Sequence, residues 1–152
     1  MQYNTTQLNS SARIVNVYYS RAMDGFHYEK IQQIYKNINN VLKENNLILL
    51  NDNQEFLPHS IIDEKSSSEI VENNMKLLEK ADCVIVDLSI KNHSYIGCID
   101  EMVCANLRNI FVIVICGESG VEKRPYTNYR ANKIVKDFDE AVECINKLNS
   151  QI

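Results

Sequence analysis

Apolar and polar positions follow two rhythms along the chain. Residues 13–19, RIVNVYY, are β-branched and aromatic and predict a strand that ends at the turn-like SRAMDG. Over 26–45 the rhythm changes: Ile31, Ile34, Ile38, Val41 and Leu42 recur at three and four residues, the spacing of one helix face. Such a stripe is core packing rather than a partner groove. LILL (47–50) predicts a short buried strand, and 51–66, polar and carrying Pro58 and His59, a long loop. SSSEIVENNMKLLEKAD predicts a helix from Ser67 or Ser68, with an early Glu suited to the helix dipole and Ile70, Met75 and Leu78 among its apolar residues. CVIVDLS (83–89) and NIFVIVICGE (109–118) are near-continuous apolar runs, the mark of strands covered on both faces. Between them lie a polar loop, IKNHSY, and a helix over 97–108. After a loop to about residue 131, KIVKD predicts a short strand and DEAVECINKLN a last helix.

Strand and helix thus alternate to five strands, which argues for an open, mostly parallel sheet with helices on both faces. The order 2-1-3-4-5 suits five strands of this size. One domain over 13–152 is expected, after a flexible segment 1–12. Ligands of such sheets collect beyond the carboxyl ends of the strands. That rule singles out SRAMDG, DLSIKNHSYIG and GESGVEKRPYTNYRAN. None holds a GxGxxG or a GxxxxGK[ST], so a dinucleotide cradle or P-loop is unsupported.

Composition narrows the classes. The chain has 152 residues, 45% hydrophobic and 24% charged, enough for one proper core. A net charge of −4 gives no reason to expect a nucleic acid as partner. No run approaches the roughly 20 apolar residues of a membrane span, and MQYNTTQLNSSA lacks the apolar centre of a signal peptide. Five cysteines (83, 98, 104, 116, 144), an odd number without a CxxC pair, fit reduced structural thiols in a cytoplasmic protein. No HExxH or paired-His spacing appears, so neither a metal nor another cofactor is expected.

The candidate chemistry lies in YIGCIDEMVCA, where Asp100 and Glu101 interrupt an apolar stretch at a helix start. They have two readings. Free backbone N–H groups there favour carboxylates, which then simply face water. Alternatively, a partly desolvated Glu101 at the mouth of a site attacks an electron-poor carbon, such as a sugar anomeric centre. Asp87, ending its strand, is placed toward the same crevice.

The pattern ADCVIVDLS…IGCIDEMVCA, with VYYSRAMDG at the first strand, resembles the nucleoside 2-deoxyribosyltransferase superfamily, which includes the deoxynucleoside 5′-monophosphate N-glycosidases. The likeness runs over about residues 13–146. It implies a flavodoxin-like fold and a carboxylate, Glu101, that attacks C1′ of a nucleoside or nucleotide. The family's helper Asp falls on Asn74, whose amide cannot donate a titrating proton. The family's second glycine falls on Ile99, after a matching Gly97. The resemblance places Tyr18, Tyr19 and Arg21 at base- and sugar-contacting positions, with Arg21 also suited to a phosphate. Asp24 follows on the same loop, and then His27. Ser89, His93, Ser94 and Tyr95 form the loop before Glu101, where relatives contact a 5′-phosphate through a hydroxyl. Tyr126 and Asn128, with Tyr129 and Arg130, lie on the loop that in relatives reaches a neighbouring subunit, implying a homodimer or larger homo-oligomer.

Three functions follow as expectations. The first is N-glycosidic cleavage or transfer on a nucleoside 5′-monophosphate or nucleoside. The second is a glycohydrolase or cyclase of TIR-like type acting on NAD. The third is a nucleotide-binding sensor without turnover, favoured by Asn74 and Ile99.

Overall fold

The computed structural model describes residues 13–52 and 67–152. Five strands form one parallel sheet ordered β2-β1-β3-β4-β5: β1 (Asn16–Arg21), β2 (Ile48–Leu49), β3 (Cys83–Asp87), β4 (Phe111–Ile115) and β5 (Lys133–Val135). Helices α1 (Tyr28–Glu44), α2 (Ser67–Leu78), α3 (Ile96–Leu107), α4 (Pro125–Arg130) and α5 (Phe138–Ser150) connect and cover it. The expected α/β fold and strand order are both present. The expected N-terminal segment and most of the 51–66 loop, with Pro58 and His59, lie outside the described residues.

The central strands are buried throughout except at Asp87, the last residue of β3. Each fully buried Val or Ile there contributes about 1.5–3 kcal/mol of transfer free energy. Side chains alternate across the sheet and divide into two cores. On one face Tyr19, Ile85 and Ile113 pack with Ile31, Tyr35 and Leu42 of α1 and with Ala141 and Ile145 of α5. On the other, Tyr18, Val84, Val86 and Val114 pack with Leu78 of α2 and with Cys98, Met102 and Ala105 of α3.

Asparagine stops two helices in this glycine-poor chain. Asn46 (φ 59°) follows α1 and Asn109 (φ 58°) follows α3, both in the left-handed region. Beyond each, the chain folds back: Leu47 N–H donates to the Leu42 carbonyl at 2.9 Å, and Ile110 N–H to the Ala105 carbonyl at 3.0 Å. These six-to-one bonds close Schellman motifs and aim the chain into β2 and β4. Asp82 ties the sheet together: its Oδ2 accepts from Val15 N–H at 3.0 Å and Asn16 N–H at 2.8 Å, securing the entry to β1 beside β3.

Two elements differ from expectation. LILL contributes only the two-residue β2, with Ile48 half exposed; it is an edge strand held on one side by β1. Residues 125–130, expected as loop, form α4. Pro125 at its first position was the local signal, since proline's fixed φ suits the first helical turn.

Candidate functional site

The carboxyl end of β1 sets the geometry. Alternation sends Tyr18 and Ser20 to the α3 side and Tyr19 to the α1 side. Tyr18, Tyr19 and Ser20 are each only 2% exposed. Both tyrosines expected to face a ligand are therefore wall and floor. Tyr19 packs edge-on against Tyr35 and Phe138.

Glu101 meets β1 from α3. Ser20 Oγ donates to its Oε1 at 3.2 Å. The Tyr18 phenol approaches the same carboxyl and favours its charged form, without the geometry of a regular hydrogen bond, and Oε2 is enclosed with no partner among the described residues. Burial pushes the Glu101 carboxyl up to about 7, against the lowering effect of Tyr18 and Ser20 and with a small further rise from Asp100. The residue keeps some exposed surface, but its Oε2 is shielded. Helix-start electrostatics do not set this charge: the first turn of α3 holds no acidic residue, Glu101 lies beyond it, and the dipole's effect fades within a turn. Desolvation governs instead. Asp100, by contrast, is exposed.

Asp87 has the opposite surroundings. Its Oδ2 accepts from the Tyr19 hydroxyl at 2.8 Å; its Oδ1 accepts from Ser89 N–H at 3.0 Å and Ser89 Oγ at 2.5 Å. Ser89 is in turn wedged against Gly117, where an added Cβ would stand 2.8 Å from the Ser89 Cβ. Asp87 thus links β1, β3 and the loop after β4. It is not among the groups acting on the Glu101 carboxyl.

Around this centre the loops bring four side chains into line. Arg21 lies 5.0 Å over the Phe26 ring, and its Nε donates to the Ala22 carbonyl at 3.3 Å. Phe26 neighbours His93 at 6.1 Å, and His93 neighbours Tyr95 at 5.4 Å. The Tyr95 hydroxyl donates to the Ile90 carbonyl, closing its own loop, and His93 Nε2 is buried with no partner among the described residues. Arg21 makes no ion pair among the described residues, so its guanidinium is available to an anion.

Other expected residues stand further off. Asp24 and Ser94 are exposed. Asn74 is half-buried on α2 and is not among the groups acting on Glu101. A Cβ at Gly97 would meet nothing within 4 Å, and Ile99 is 40% exposed, so neither crowds the site. Tyr126 is 81% exposed on α4, while the Asn128 amide donates to the Glu122 carbonyl at 2.6 Å and the Arg124 carbonyl at 3.0 Å. Ser20, Cys98 and Phe26 join the site without having been singled out in the sequence. Strand alternation was the available signal for Ser20, since it shares a face with Tyr18.

Among the described residues, no three or more His, Cys, Asp or Glu side chains are grouped to hold a metal ion, and no helix is long and apolar enough to cross a membrane. All five cysteines are free. No family model and no curated protein matches the chain. Among solved structures, it is similar to a conserved protein from Enterococcus faecalis V583, with a TM-score of 0.59 and 11% identity over 88% of this chain and 98% of that one. At that identity the likeness concerns the fold alone.

Proposed function

We propose that the protein cleaves, or transfers across, the N-glycosidic bond of a nucleoside 5′-monophosphate or nucleoside, with Glu101 as the nucleophile. The observation that carries this reading is the Glu101 carboxyl: shielded, held by one oxygen and unpartnered at the other, beyond the strand ends where ligands of such sheets bind. A carboxylate kept from water gains nucleophilicity, and an apparent value near 7 leaves a large ionised fraction at neutral pH.

In the proposed reaction a lone pair of ionised Glu101 forms a bond to C1′ while the C1′–N bond breaks and its electron pair leaves on the base. The base takes a proton from water. A second water, or an acceptor base in transfer, then attacks C1′ and releases the carboxylate. Asn74 supplies no proton, so a base that leaves readily on its own is the better substrate. The unpaired Arg21 guanidinium favours a phosphorylated substrate. The proposed homodimer rests on Tyr126 and Tyr129, exposed on α4, beside α3 with its exposed Leu107; a monomeric mass by light scattering would remove it.

The test is free-base release, followed by chromatography, from a panel of nucleosides, 5′-monophosphates and NAD, with Glu101→Gln in parallel. Release from a monophosphate that disappears in the variant supports the proposal. Release from NAD alone moves the assignment to the glycohydrolase, and binding without release from any member moves it to a sensor.

A further inference from the structure

We propose that Ser20 is the positioning residue for Glu101: its hydroxyl holds Oε1 and so ties the reacting carboxyl to the end of β1. The inference rests on the nucleophilic role proposed above for Glu101. Ser20 interrupts a strand of buried apolar and aromatic residues and is itself 2% exposed, a place where a hydroxyl is costly unless it is hydrogen-bonded. Its partner is Glu101 Oε1, 81 residues away in the chain. The hydroxyl sits on a backbone paired with Val86 of β3 in the middle of the sheet, so its position is fixed by the ladder rather than by a mobile loop.

A second side chain neighbours the serine. Cys98 lies three residues before Glu101 on α3, on the same helix face, and its thiol also interacts with Ser20. Burial pushes the Cys98 thiol up to about 11, so it stays neutral near pH 7. With Oε1 engaged, the carboxyl is tied to β1 rather than free to swing on α3.

The other charged or titrating groups facing this point are Tyr18 from β1, Tyr35 from α1 and Asp100 from α3, while Asp87 and Arg21 act on Cys98. Tyr18 and Tyr35 are held well above their ordinary range by burial and stay neutral from pH 5 to 9. His93 lies on the loop before α3, so the reading is taken on the Glu101 carboxyl itself.

The experiment compares the full-length protein with Ser20→Ala and Ser20→Thr in two measurements. One is base release from pH 5 to 9 on the substrate found in the panel. The other is the carbon-13 NMR titration of the Glu101 side-chain carboxyl, which needs no turnover. Losing the hydroxyl should raise the Glu101 titration by about one pH unit, cutting release about tenfold at pH 6 and much less at pH 9. Ser20→Thr, which keeps a hydroxyl, should titrate near the wild type. An unshifted carboxyl in Ser20→Ala would overturn the positioning role, whether or not the wild type releases base. A shift without any wild-type release would retain the Ser20–Glu101 coupling but overturn its role in catalysis, together with the proposed reaction. Equal loss in both variants at every pH would reduce Ser20 to a packing residue.

Discussion

The two carboxylates at the carboxyl edge of the sheet, Asp87 and Glu101, are treated in opposite ways. Asp87 receives three hydrogen bonds and is thereby fixed as a strut between β1, β3 and the loop after β4. Among the described residues Glu101 receives one regular hydrogen bond and keeps an oxygen without a partner, and burial pushes it up to about 7. A saturated carboxylate has little left to offer a substrate, whereas an unsaturated, shielded one stores unfavourable energy that bond formation can release. On the proposed function Asp87 is structural and Glu101 reactive, a contrast that four substitutions and measurements can break.

The largest effect belongs to Glu101→Gln. Base release should fall at least about a thousandfold, because an amide cannot serve as the carboxylate nucleophile. A variant retaining a tenth of wild-type release would show that Glu101 is not the nucleophile.

The same substitution should stabilise the fold at high pH. Glu101 ionises at about 7 when folded, above its ordinary 4.5. A carboxyl raised in the folded state binds its proton more tightly there, so its stabilising contribution is present below 4.5 and is lost as pH rises through about 7. The interval corresponds to about 3 kcal/mol at most. Thermal denaturation of wild type and Glu101→Gln at pH 5 and pH 8.5 should show the variant gaining on the wild type only at the higher pH. An equal difference at both would mean the carboxyl is not desolvated.

Asp87→Asn should do the reverse. Its amide nitrogen would face a hydroxyl or a backbone N–H, leaving a buried donor unsatisfied, at about 2–3 kcal/mol. A fall of several degrees in Tm, with activity per folded molecule reduced far less than in Glu101→Gln, is the expected outcome. Activity lost as completely as in Glu101→Gln, at unchanged Tm, would make Asp87 a reacting group. Smallest is Tyr19→Phe, which removes one of the three donors and should cost about 1 kcal/mol by chemical denaturation. No change would show that the Tyr19–Asp87 bond adds nothing to stability.

Much of the fold was legible because its strongest signals are local. VIV and FVIVI announce strands covered on both sides, and the helical stripe from Ile31 to Leu42 announces α1. Edge and irregular parts were not. β2 needs β1 to exist as a strand, and α4, PYTNYR, is too short to show a helical period. Glu101 stood out as a carboxylate among apolar residues, but the reason for its state did not. The helix-dipole argument pointed to a readily ionised group, whereas burial against β1 raises it, over the opposing, lowering contacts of Tyr18 and Ser20. Those partners lie more than eighty residues away in the chain and meet it only once β1 sits beside β3 and α3 closes over both.

The most direct test of the central claim is the pH dependence of base release from pH 5 to 9 in the wild type, with Glu101→Gln measured alongside. A nucleophilic Glu101 predicts a rate that rises with pH, with its midpoint near 7, and vanishes in the variant. A rate that falls through 7 would make the carboxyl a proton donor, and a profile unchanged in Glu101→Gln would take the chemistry away from it altogether.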